Sequence, residues 1–209
     1  MAVVFDRMRD AVFGRKPEEP EPIRVTDSPA DLQRGDVIVF WDAGDAVVAA
    51  TLDCTESASG RQSTWRWLFL SSGPMIEAVG RTNTIYEQTD VIAKGTVAFQ
   101  RLTGSVHDGG VLQTFEARQR DGTDVTDPVV FRLDDIAYRL VSTGTFSYTR
   151  AGPLDEPVWR DLSANEGENV YFRMQSTDGS NVLGVWTTDI ALLKGRPLAN
   201  AEIKGLYGA

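Results

Sequence analysis

The chain has 209 residues, 42% of them apolar and 24% charged, with a formal net charge of −9. Such a composition excludes global disorder and allows a sizeable core, in one large or two small domains. Its apolar runs fall short of the roughly 20 residues that cross a bilayer as a helix, and its acidity argues against nucleic acid, where phosphate neutralisation supplies most of the affinity.

The charge is uneven. Residues 1–16 carry Arg7, Arg9, Arg15 and Lys16 against Asp6 and Asp10, a net of +2, so the remainder carries −11. That remainder repels anionic lipid, whereas the leading segment does not. Asp6, Arg7, Arg9 and Asp10 interrupt any apolar core of a cleavable leader. A lone cysteine, Cys54, forbids an intrachain disulfide and fits a reducing compartment. The expected location is the cytoplasm, with residues 1–16 free to touch the inner membrane face.

The spacing predicts an amphipathic helix within residues 1–16. Val4, Phe5, Met8 and Val12 share one face with Ala11, while Asp6, Arg9 and Asp10 take the other. Gly14 is placed to end it, and Arg15 and Lys16 suit the negative end of the helix dipole. Burying Val4, Phe5, Met8 and Val12 would contribute about 1.5–3 kcal/mol each before ordering costs. A helix this short is marginal alone. Its face needs a receiver: the chain's own body, a protein partner or a lipid surface. Residues 17–27 open with Pro17-Glu18-Glu19-Pro20-Glu21-Pro22, a stiff charged linker that holds the arm at a distance.

Residues 28–102 read as a first β unit. Ser28-Pro29 starts a capped helical turn. Strands follow over Val37–Trp41 and Ala46–Leu52, joined by a turn at Asp42-Ala43-Gly44-Asp45. Thr55–Thr64 reads as a polar loop. Trp65–Gly80 is an aromatic hairpin broken by Ser71-Ser72-Gly73-Pro74, with Trp65, Trp67 and Phe69 on one face and Arg66, Leu68 and Leu70 on the other. Further strands are expected over Thr96–Leu102 and Val111–Arg118, and residues 103–128 read as connecting hairpins with Asp-Gly turns.

Residues 129–209 read as a second β unit. Strands over Val129–Leu133, Ile136–Val141 and Thr145–Thr149 precede a polar loop and a second aromatic hairpin, Val170–Trp186. Asp189–Lys194 reads as a helical turn and Ile203–Tyr207 as a strand. Both units run strand, acidic turn, strand, loop, aromatic hairpin, then a Lys-Gly pair. Divergent duplication is the economical reading. The expected class is therefore mainly β: two related antiparallel units of sandwich or small-barrel type, preceded by the amphipathic helix.

Groups with reactive potential are sparse. His107 is the only histidine and sits in a turn. Cys54 lies beside Asp53 and Glu56, whose charges disfavour a thiolate. Asp121, Asp124 and Asp127 recur every three residues without the EF-hand spacing, as at a solvated tip. Asp134-Asp135 reads as a turn, and Asp155, Glu156, Glu166 and Glu168 as loop charges. Glycine-rich phosphate motifs and the Gly-x-Ser-x-Gly elbow are missing. Trp41, Trp65, Trp67, Trp159, Trp186, Tyr171 and Phe172 read as core rather than a stacking platform. The sequence predicts no cofactor, metal or catalytic residue.

One resemblance is visible. Leu32-Gln33-Arg34-Gly35-Asp36-Val37-Ile38, Ala46–Leu52 and Trp65-Arg66-Trp67-Leu68 resemble the first half of a bacterial domain-of-unknown-function family. Asp135-Ile136-Ala137-Tyr138-Arg139-Leu140, Gly144-Thr145-Phe146-Ser147-Tyr148, Asn169-Val170-Tyr171-Phe172 and Leu183-Gly184-Val185-Trp186 resemble its second half. The likeness spans roughly residues 31–206. That family occurs beside phage-shock-protein-A-like membrane-remodelling proteins, small membrane proteins and polyamine-synthesis genes, and brings no catalytic residues. It implies an accessory of a bacterial membrane-stress system, with a phage-shock-protein-A-like coiled-coil protein as partner. The expectation is a non-enzymatic interaction protein docking through Val4, Phe5, Met8 and Val12. The alternative is a β module for a small, polyamine-like cation, motivated by the acidic body.

Overall fold

The computed structural model describes residues 26–58, 61–104, 109–155, 157–162 and 169–208. The expected amphipathic helix, with Val4, Phe5, Met8 and Val12, lies outside the described residues, as do His107, Glu156, Glu166 and Glu168. A single 3-10 turn, Pro29–Asp31, opens the described chain; the Ser28 hydroxyl accepts from the Ala30 amide at 3.2 Å, as the Ser-Pro pair predicts.

Five strands follow: β1 (Val37–Phe40), β2 (Gly44–Ala58), β3 (Arg61–Leu70), β4 (Met75–Val79) and β5 (Thr82–Ile92). Two helices come next, α1 (Val97–Thr103) and α2 (Val111–Asp121). The later half runs β6 (Val130–Leu133), β7 (Ile136–Ala151), a short helix α3 (Pro157–Arg160), β8 (Asn169–Ser176), β9 (Asn181–Trp186) and β10 (Ile190–Pro197). Strand β11 (Ile203–Tyr207) returns to pair with β1.

All strands belong to one 11-stranded sheet, ordered β11-β1-β2-β3-β4-β5-β10-β9-β8-β7-β6. Its two arms meet again where β2 pairs with β7, Thr51 opposite Ala151 and Thr55 opposite Ser147. This closes β2-β3-β4-β5-β10-β9-β8-β7 into an antiparallel barrel, and of the two expected forms the barrel is the one present. The halves are fused along two seams, β2 with β7 and β5 with β10.

Alternation along the strands sorts the core into a lumen and two outer layers. Leu52, Cys54, Trp65, Trp67, Phe146, Tyr171, Leu183 and Val185 pack inside. Leu68, Leu70 and Ile76 point outward and are covered by Leu32, Ile38, Leu198 and Leu206. On the other flank Phe172, Met174, Val182, Ile190 and Leu192 are covered by Leu102, Leu112 and Phe115 from the helices and by Phe131 from β6.

Several sequence expectations need correction. Thr96–Leu102 and Val111–Arg118 are helical, and the connection over 103–128 is built around α2 rather than a β-hairpin. Thr96 caps α1, its hydroxyl accepting from the Phe99 amide at 3.2 Å. Leu112 and Phe115 are three apart, a helical spacing, and Gly122 stops α2 with φ 70°. The expected loop at Thr55–Thr64 is paired strand, continuing β2 to Ala58 and starting β3 at Arg61. Asp189–Lys194 is not a helical turn but the start of β10; Ile190, Ala191, Leu192 and Leu193 are all buried, and an unbroken apolar run carries no period to read. Strand β5 carries no strand signal in the sequence, because most of it is polar and exposed.

Candidate functional site

The lumen is where ionisable side chains converge. Glu77 sits mid-β4, facing inward with Met75, and is only 3% exposed. Arg173 faces inward from β8, which stands four strands from β4 in either direction around the ring. The two side chains therefore meet across the lumen. Arg173 Nη1 and Nη2 donate to Glu77 Oε1 and Oε2, each at 2.8 Å, in a bidentate pair. Trp67 Nε1 donates to Glu77 Oε2 at 2.9 Å, so both carboxylate oxygens are engaged.

Around this pair sit two tyrosines. Arg173 Nη1 also reaches the Tyr86 hydroxyl oxygen at 3.3 Å, and its guanidinium lies 5.5 Å from the Tyr171 ring centroid. The Tyr171 hydroxyl donates to Glu56 Oε2 at 2.9 Å. Gly144 makes room for that carboxylate: a Cβ there would meet Glu56 Oε1 at 2.0 Å. Gly195 does the same for the Tyr86 ring, 2.3 Å from its would-be Cβ. The Trp65 indole N–H is buried with no hydrogen bond among the described residues; its ring packs edge-on to Tyr171 at 5.3 Å.

Electrostatics follow from this packing. Burial, then the Glu77 charge, pushes Tyr86 up to about 12. Burial, then the hydrogen bond to Glu56, raises Tyr171 to about 12 as well. For Arg173 burial disfavours the charge, but the hydrogen bonds and charge of Glu77 outweigh it and the net shift is upward. Burial first, then Glu77 and Asp53, lifts Cys54 far above the ordinary thiol range. The phenols and the thiol are thus held protonated and the guanidinium charged. Such groups brace a wall; they are poorly disposed to abstract a proton or attack an electrophile.

Residues 152–155 and 157–162, which follow β7, pack over one end of the barrel. Leu154, Trp159 and Leu162 insert from them into the lumen core. Trp159 packs edge-on to Phe69 at 5.0 Å and to Trp67 at 6.0 Å. The Tyr148 hydroxyl donates to the Leu162 carbonyl at 3.2 Å, tying the strap to β7.

Other sequence candidates stay apart. Cys54 is buried. Asp121, Asp124 and Asp127 trail from the end of α2, where Asp127 pairs with Arg118. Among the described residues no three His, Cys, Asp or Glu side chains gather as a metal site. Asp134-Asp135 is the β6–β7 turn. Trp65, Trp67, Trp159 and Tyr171 line the lumen; Phe172 and Trp186 belong to the helix-covered layer, and Trp41 is 63% exposed. Sequence reasoning passed over Glu77, Arg173, Tyr86 and the role of Glu56. A signal existed: Glu77 shares the inward face with Met75, and Arg173 with Tyr171, one charge of each sign on a core-facing row.

Among the described residues no helix is long and apolar enough to cross a membrane. Compared with family models, curated proteins and solved structures, the chain matches none.

Proposed function

We propose that this chain is a non-enzymatic interaction protein, a filled β-barrel carrying a tethered amphipathic arm over residues 1–16. One observation carries the reading: the ionisable groups of the lumen bond to one another. Glu77 has both oxygens engaged by Trp67 and Arg173, and Tyr171 is engaged with Glu56. Their bonding capacity goes into the barrel wall, which leaves the outer surface and the arm to act on other molecules. The arm supplies the means, through Val4, Phe5, Met8 and Val12. The family resemblance supplies the partner, a phage-shock-protein-A-like coiled-coil protein at the inner membrane face of a bacterium.

Within this reading residues 28–102 and 129–209 are two copies of one β unit. Strands β1–β5 and β6–β10 come in the same order. The seams pair β2 with β7 and β5 with β10, equivalent strands running antiparallel, as a two-fold relation requires.

The test compares the full chain with residues 17–209. Each is mixed with a purified phage-shock-protein-A-like protein from the same genome, and separately with vesicles containing anionic phospholipid. The expected result is protein binding that weakens at least roughly tenfold without the arm, since several apolar side chains lose their burial. The melting temperature should stay the same. Equal binding by both chains, or none by either, would refute the docking arm; binding to vesicles alone would refute the protein partner.

A further inference from the structure

The strap that packs over the barrel leaves a recess of about 160 Å³ at the end where β3 turns into β4. Phe69, Tyr86, Trp159 and Leu193 form its walls, and Gln88 and Asp155 stand at its rim. The turn does not fill it: Gly73 adopts φ 106°, and a Cβ there would meet nothing within 4 Å.

Size limits the occupant. A cavity of about 150 Å³ holds one benzene ring, and drug-sized ligands take about 300 Å³ or more. The recess is open at its rim, so it encloses no more than a ring-sized part of a ligand. Charge limits it further. Among the described residues Asp155 is the one formally charged residue lining the recess, with no lysine or arginine there. Beneath the floor, the Arg173 charge is matched by Glu77. Phe69, Tyr86 and Trp159 make much of the lining aromatic, and an aromatic ring can attract a cation that reaches its face.

We propose that this recess binds a small organic cation, an ammonium group carrying one ring or a short alkyl chain. The ammonium lies beside the Asp155 carboxylate, and the apolar part lies against Phe69 and Trp159. This goes beyond the docking reading and is independent of it, since no residue of the arm takes part.

The experiment titrates the full chain with benzylammonium, benzyl alcohol and benzoate, following the indole N–H resonances by NMR. The expected result is a saturable shift at Trp159 with benzylammonium, roughly tenfold weaker binding of the alcohol, and weaker still of benzoate. Asp155 is exposed, so Asp155→Asn should fold normally and reduce the cation to the affinity of the alcohol. Benzoate binding as well as benzylammonium would overturn the proposal. So would an unmoved Trp159 resonance with all three probes, or an undiminished preference in Asp155→Asn.

Discussion

Glu77 and Arg173 show how far one side chain can matter in a closed barrel. The Glu77 side chain is 4% exposed and that of Arg173 is 30% exposed. Removing one partner of such a pair strands the other charge in a poorly solvated place, whereas removing both does not. Glu77→Gln, which leaves the guanidinium unmatched, should lower stability to chemical denaturation by about 3 kcal/mol. Arg173→Met should do likewise, and the double variant should be less destabilised than the sum of the two. Strict additivity would mean that the pair is not coupled. The tyrosines set a pH signature. Tyr86 and Tyr171 are raised from 10 to about 12 in the fold, so between those values the folded state retains protons that the unfolded chain has released. Stability is then full below pH 10 and falls as pH rises from 10 towards 12. Melting temperatures across that range should drop in the parent and drop less in Tyr86→Phe and Tyr171→Phe. The same fall in both variants would show that neither phenol is responsible.

Single elements differ in how plainly their sequences declare them. The Trp65–Gly80 hairpin does so twice over, through inward tryptophans and a Gly-Pro turn, and β3 and β4 occupy that place. Strand β9 was also legible, yet its packing was not. Gly184 lies against Phe172, and a Cβ there would sit 2.1 Å from the ring. Phe172 is fully buried beneath the helices and has no room to retreat. Gly184→Ala should therefore destabilise by about 1–3 kcal/mol through overpacking. Adding Phe172→Leu should return part of that loss; a fully stable single variant would show that the wall yields at this point. Helices α1 and α2 are hidden in the sequence because flanking Asp-Gly turn signals resemble those of β-hairpins. Leu102, Leu112 and Phe115 reach the sheet only from helical positions. Strands β5 and β10 lack an alternating pattern for opposite reasons, one too polar and the other too uniformly apolar.

The whole molecule depends on its two seams. Separated at the helical connection, each half would leave strand segments unpaired, Thr51–Thr55 of β2 and Thr84–Ile92 of β5 in one, Ser147–Ala151 of β7 and Ile190–Pro197 of β10 in the other. Neither half keeps the lumen core, which draws Trp65 and Trp67 from one and Phe146 and Tyr171 from the other. The chain should therefore unfold in one cooperative step. Tryptophan fluorescence, which reports mostly on the lumen, and far-ultraviolet circular dichroism, which reports on all strands, should give coincident transitions. Two resolved transitions would show that the halves are separate folding units.

Local pattern was enough to announce a mainly β chain, the order of most strands and the aromatic hairpins, because period-two alternation and turn chemistry are properties of neighbouring residues. Closure of the ring, the choice of barrel over sandwich, the meeting of Glu77 with Arg173 and the recess beneath the strap lay beyond it. Each of these joins residues nearly a hundred positions apart, and such partners are selected by tilt, register and packing of the complete barrel, quantities that no short stretch of chain contains.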